Sequence, residues 1–154
     1  MKDQNKTDFD EKADTWDEDP QRVKLANDVV DAIITEMKPT REMDALDYGY
    51  GSGLVTLRIQ PHIKSITGID SSKVMLEVIQ AKVEKQGLKN VRTQIVDFEQ
   101  GEKAEGMFHL IVSSMTLHHV NEPALLLEQL YDLLFPGGSR HHRSRKGRRL
   151  VPQR

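Results

Sequence analysis

Between residues 20 and 136 the apolar positions follow two alternating rhythms. Val23, Ala26, Val29, Val30, Ile33, Ile34 and Met37 recur three or four residues apart, the spacing that lines one face of a helix. Asp19-Pro20 marks its start, an acidic cap before a residue preset for the first turn, and Pro39 ends the pattern. Four short apolar runs then read as strands: Met43–Tyr48, Ser65–Ile69, Val91–Val96 and Phe108–Ser113. Between the first two, a short helical stretch opens at Gly51–Gly53 and closes at Pro61. Between the second and third, Ser72 caps a helix carrying Val74, Met75, Val78, Ile79 and Val83, which Gly87 ends. After the fourth, Asn121-Glu122-Pro123 opens a leucine-dense helix through Leu134 that Pro136-Gly137-Gly138 terminates. Strands alternating with helices predict right-handed βαβ units, and so an α/β fold with a doubly wound parallel sheet and helices on both faces.

The 154 residues, 37% hydrophobic and 30% charged, suit one globular domain. Three segments are expected: an acidic lead over 1–19, a folded domain over 20–138 and a basic, disordered tail over 139–154. The net charge of −2 hides this division. Seven of the 22 Lys and Arg residues fall in the tail beside no acidic residue, so the preceding chain sets the remaining 15 against all 24 acidic residues. No apolar run approaches the roughly 20 residues that cross a bilayer, and the polar start is not a secretory signal. With no cysteine there is no thiolate metal site or nucleophile, and a cytoplasmic protein is expected.

The segment Asp47-Tyr48-Gly49-Tyr50-Gly51-Ser52-Gly53-Leu54 lies between the first strand and its helix, where such sheets open a ligand crevice. Asp70 ends the second strand 17 residues past Gly53, a distance at which a carboxylate meets ribose hydroxyls; alternatively it caps the next helix. The dinucleotide pattern G-x-G-x-x-G fails, because its third glycine would be Leu54. No Lys followed by Ser or Thr makes a P-loop, and no cation inside the loop awaits a pyrophosphate. A nucleoside without a charged linker fits better.

From Phe9 to Gly138 the chain resembles the class I S-adenosylmethionine-dependent methyltransferases of small-molecule type, whose fold is Rossmann-like. The resemblance rests on the glycine loop, on Thr67-Gly68-Ile69-Asp70-Ser71-Ser72 with Met75-Leu76, on Val96-Asp97-Phe98, and on Phe108 through Val120 with Leu117-His118-His119-Val120. It implies S-adenosylmethionine as cofactor and a small-molecule methyl acceptor. Gly49, Gly51 and Gly53 would surround the methionine part, with Asp47 near its ammonium group. Asp70 would hold the ribose, and Ser71 and Met75 would border the adenosine. Asp97 would meet the adenine amino group, Phe98 would pack near the ring, and Ser113 would line the floor beside the sulfonium. Tyr50 departs from the family, which has a small residue there; its phenol would crowd the cofactor or turn outward. The resemblance names no catalytic base and no metal.

His118-His119 reads as loop or pocket wall, since adjacent side chains do not share a face. Phe9 and Trp16 form either a lid or an anchored N-terminal turn. After Gly138 the family continues into a fifth apolar strand and two more, whereas Ser139-Arg140-His141-His142-Arg143 cannot form a buried one. The tail reads as a shifted frame or a truncation, leaving the last strands of the usual seven missing and the fourth strand as a free edge inclined to self-association. Two alternatives follow: a cofactor-binding module without turnover, and an RNA-associated methyltransferase using the tail. The acidic body argues against nucleic acid.

Overall fold

The first predicted helix forms as α1, Pro20–Met37, in a computed structural model that describes residues 19–114 and 120–136. Asp19 caps it by accepting from the Gln21 N–H, Pro20 occupies its first turn, and Lys38 closes it in a left-handed conformation. Ala26, Val30, Ile33 and Met37 form its buried stripe. The four strands are β1, Asp44–Tyr48; β2, Ser65–Asp70; β3, Val91–Ile95; and β4, Leu110–Ser113. The intervening helices are α2, Leu54–Ile59, α3, Lys73–Gln86, and α4, Pro123–Asp132. Two 3-10 turns, Gln60–His62 and Phe98–Gln100, are additions that the apolar pattern does not predict.

All pairings are parallel and the strand order is β3-β2-β1-β4. The chain therefore winds outward from β1 to β3, then returns to place β4 on the other side of β1. The crevice beyond the carboxyl ends of β1 and β4 is the switch point of the sheet, where such folds receive ligands. Side chains alternate across the pleat. Ala45, Ile66, Leu110 and Val112 pack with Ala26, Val30 and Ile33 of α1 and Val55 and Ile59 of α2. Leu46, Ile69 and Ile111 join Phe98, Leu126, Leu130 and Leu134 in a second core.

The predicted leucine-dense helix is shorter than its pattern. It ends at Asp132, and Leu134 instead forms a parallel bridge with Phe108. The Phe108 N–H donates to the Leu133 carbonyl at 2.8 Å, and the Phe135 N–H donates to the Phe108 carbonyl at 2.9 Å. Leucines serve a buried strand as well as a helix, so periodicity alone does not mark this change. The fourth strand likewise begins at Leu110 rather than Phe108. Residues 1–18 of the expected acidic lead, the His118-His119 pair and the basic tail lie outside the described residues. No described helix is long and apolar enough to cross a membrane.

A third core cluster joins Tyr50 to Met75 and Ile79 of α3. The Tyr50 ring lies against Gly68 of β2, so closely that a Cβ at position 68 would stand 2.5 Å from its Cδ1 atom. Gly68→Ala should therefore lower stability by about 1–3 kcal/mol through overpacking. The loss should be much smaller in a Tyr50→Ala background, because the clash needs both side chains. Urea unfolding of the four proteins of this cycle checks the coupling, and equal losses in both backgrounds would exclude it.

Candidate functional site

The glycine segment forms a tight loop over the end of β1. Gly49, Gly51 and Gly53 have φ of 70°, 54° and 87°, a left-handed region costly for residues with a Cβ. Three backbone donors fix the path: Gly49 to the Ile69 carbonyl at 2.6 Å, Gly51 to the Asp70 carboxylate at 3.1 Å, and Gly53 to the Tyr50 carbonyl at 2.9 Å. A Cβ on Gly53 would meet Ile79 at 2.8 Å, so this glycine is needed for packing against α3. A Cβ on Gly51 would meet nothing within 4 Å, so its backbone borders open space. From α3, the half-buried Lys82 ammonium donates to the Ser52 carbonyl at 2.7 Å, and burial lowers its pKa.

Asp70 joins the loop to the next helix. One carboxylate oxygen accepts from Gly51 and the other accepts from the Ser72 N–H at 2.9 Å. Ser72 in turn caps α3 by accepting from the Met75 N–H. Asp97 follows β3 and caps the short Phe98–Gln100 turn through the Glu99 N–H. Ser113, at the end of β4, pairs in register with Tyr48 and donates its hydroxyl to the Tyr48 carbonyl at 3.1 Å. Gly49, Gly51, Gly53, Asp70, Ser71, Asp97 and Ser113 thus converge on the carboxyl ends of the four strands.

The other expected residues sit deeper. Asp47 is 1% exposed beneath the loop and accepts a 2.6 Å hydrogen bond from the Thr56 hydroxyl of α2. Burial pushes its carboxyl up to about 7; the Thr56 bond opposes that shift, and the nearby Asp70 charge adds to it. Met75 and Phe98 are also buried, Met75 on α3 in the third core and Phe98 in the second core with its ring 5.5 Å from that of Tyr48. Tyr50 does not turn outward. It is buried against Gly68, and its hydroxyl has no hydrogen-bond partner among the described residues. Gly68 leaves room for the ring, a contact between residues far apart in sequence that no spacing rule signals.

Sequence reasoning missed Tyr48, Thr56 and Lys82. The Tyr48 phenol is raised to about 12 by burial and then by the charges of Asp70, Glu99 and Asp97, so it remains a neutral donor at the acidic rim. Its place in the glycine segment was a usable signal, whereas no spacing rule links Thr56 to Asp47. Lys82 lies three residues beyond Ile79 on the predicted helix, but only the fold brings Ser52 to it. Among the described residues no cluster of three acidic or histidine side chains is arranged to hold a metal ion.

Fold and loop together define an α/β protein with a glycine loop at the carboxyl ends of a parallel sheet. The chain belongs to the methyltransferase domain family, whose model matches residues 45–138. It is similar to a ubiquinone biosynthesis O-methyltransferase of Coxiella burnetii, with 29% identity over 84% of this chain and 56% of that protein. An uncharacterised methyltransferase of Mycobacterium bovis is 28% identical over 74% of this chain and 56% of its own length. The chain therefore spans about half the length of these curated relatives. Among solved structures, a SAM-dependent methyltransferase from Aquifex aeolicus superposes with a TM-score of 0.70 at 25% identity, covering 82% of this chain and 68% of that one.

Asp47 makes a pH dependence measurable. Its folded pKa of about 7 stands above the ordinary 3.8, so between these values the unfolded chain has released a proton that the folded chain retains. The unfolded state binds fewer protons in this window, and stability falls as pH rises from about 4 through 7. Asp47→Asn should remove this component. Urea midpoints at pH 5 and pH 8 should show a smaller decline in the variant than in the wild type, and equal declines would contradict the assignment.

Proposed function

We propose that this chain binds S-adenosylmethionine across the carboxyl ends of the four strands and transfers its methyl group to a small-molecule acceptor. The observation that carries the reading is the left-handed glycine loop whose Gly51 backbone borders open space while its N–H rests on Asp70. Family membership and the SAM-dependent Aquifex structure support the same cofactor. The residues fit a cationic nucleoside. Backbone is approachable at Gly51, Asp70 has a carboxylate for ribose hydroxyls, and Asp70, Asp97 and Glu99 surround Tyr48 with negative charge. That field suits a sulfonium and an ammonium and opposes a pyrophosphate.

In this reading Gly49, Gly51 and Gly53 border the methionine part, with Asp47 supporting the loop from below and contributing to the field around the ammonium. Asp70 accepts from the ribose, Ser71 and Met75 flank the adenosine, Asp97 accepts from the adenine amino group, and Phe98 backs the ring from the core. Ser113 forms the floor at the reacting end. When bound, S-adenosylmethionine supplies a methyl group on a positively charged sulfur, a leaving group already activated. The protein's part is to hold the acceptor in line and exclude water, which requires neither metal nor protein nucleophile. A general base is needed only where the acceptor loses a proton. The relative named for ubiquinone biosynthesis supports a small-molecule acceptor over nucleic acid. We place the protein in the cytoplasm.

Calorimetry tests the cofactor. S-adenosylhomocysteine should bind more tightly than NAD, and the reverse order would refute the reading. Asp70→Ala removes charge-assisted acceptors worth roughly 1.5–3 kcal/mol each, and should weaken S-adenosylhomocysteine binding about tenfold or more while leaving the helical circular dichroism intact. Unchanged affinity would leave Asp70 as only a tie between loop and helix.

A further inference from the structure

Three left-handed glycines within five residues give the loop wide conformational freedom, so its shape must be imposed by neighbouring elements. The β2 side supplies the Ile69 carbonyl and the Asp70 carboxylate. From α3 come two contacts one turn apart: Ile79 against Gly53, and the Lys82 ammonium on the Ser52 carbonyl at 2.7 Å. Ser52 is 1% exposed, so its carbonyl has little recourse to water and gains from a charged donor. The same helix begins at Ser72, beside Asp70, and carries Met75 in its first turn.

We infer that Lys82 is a positioning residue, which acts through the Ser52 carbonyl to hold the glycine loop in the form that receives the ligand. The consequence for affinity rests on the S-adenosylmethionine reading, whereas the effect on the loop itself does not. With the clamp in place the loop is ordered before binding; without it, binding has to meet the cost of ordering five residues with three glycines. Because α3 also carries the adenosine-side residue Met75 and is capped by Ser72, next to Ser71, Lys82 fixes the spacing between the two halves of the crevice.

The test compares wild type, Lys82→Met and Lys82→Arg; methionine keeps most of the apolar stem and removes the donor. Amide hydrogen exchange on the ligand-free chain should speed up roughly tenfold at Gly51 and Gly53 in Lys82→Met, while Ile66, bonded to the Asn90 carbonyl in the sheet, stays unchanged. Calorimetry should show S-adenosylhomocysteine binding weakened roughly tenfold by methionine and largely restored by arginine. A purely structural lysine would instead lower the urea midpoint and speed exchange at all these amides together, leaving affinity intact, and that result overturns the inference. Unchanged exchange at Gly51 and Gly53 overturns it as well. A wild-type chain that takes up no S-adenosylhomocysteine refutes the cofactor reading alone, and exchange at the loop amides still decides the role of Lys82.

Discussion

The hydrogen bond from the Gly51 backbone to the Asp70 carboxylate connects two parts of the fold that are built separately. Gly51 belongs to the turn after β1, and Asp70 is the last residue of the adjacent strand. The other Asp70 oxygen accepts from Ser72, which caps α3, so one carboxylate sets both the loop and the start of the helix behind it. An acceptor with two oxygens and a full charge can serve two backbone donors and still offer lone pairs to a ligand. An amide could not replace it, since its nitrogen does not accept.

That arrangement has a cost, visible at Asp47 and Tyr50. A carboxyl with almost no solvent exposure and one hydroxyl partner is held far from its preferred ionisation. A buried phenol without a partner among the described residues forfeits a hydrogen bond that water would have supplied. Tyr50 belongs to the glycine loop, and Asp47 lies near the end of the strand that leads into it. The residues around a ligand crevice are seldom those that maximise stability, because shape and charge there are set by what must be bound.

Much of this architecture was legible from spacing. The capped helix at Pro20, the four strands and the helix behind Ser72 follow from apolar periodicity with Pro, Gly and Ser at the boundaries. The convergence of Gly49, Gly51, Gly53, Asp70 and Ser113 was legible too, because each lies at or just beyond a strand end. Depth was not. Whether Asp47, Met75 and Phe98 face ligand or core depends on which helix covers each strand end, and Tyr50 depends on a glycine in a neighbouring strand. The end of α4 was illegible for another reason, since consecutive leucines satisfy a helix and a buried extended segment equally well.

The strand order also bears on the route by which the chain folds. β1, β2 and β3 are neighbours in both sequence and space, so their pairing closes short loops. β4 reaches β1 only across 65 residues, the separation between Ser113 and Tyr48, and its entropic cost is met before its contacts are gained. The carboxyl end of the sheet is thus completed by its most distant pairing. A molecule that contacts the ends of both β1 and β4 recognises the finished sheet, and its binding draws the folding equilibrium toward completion by mass action.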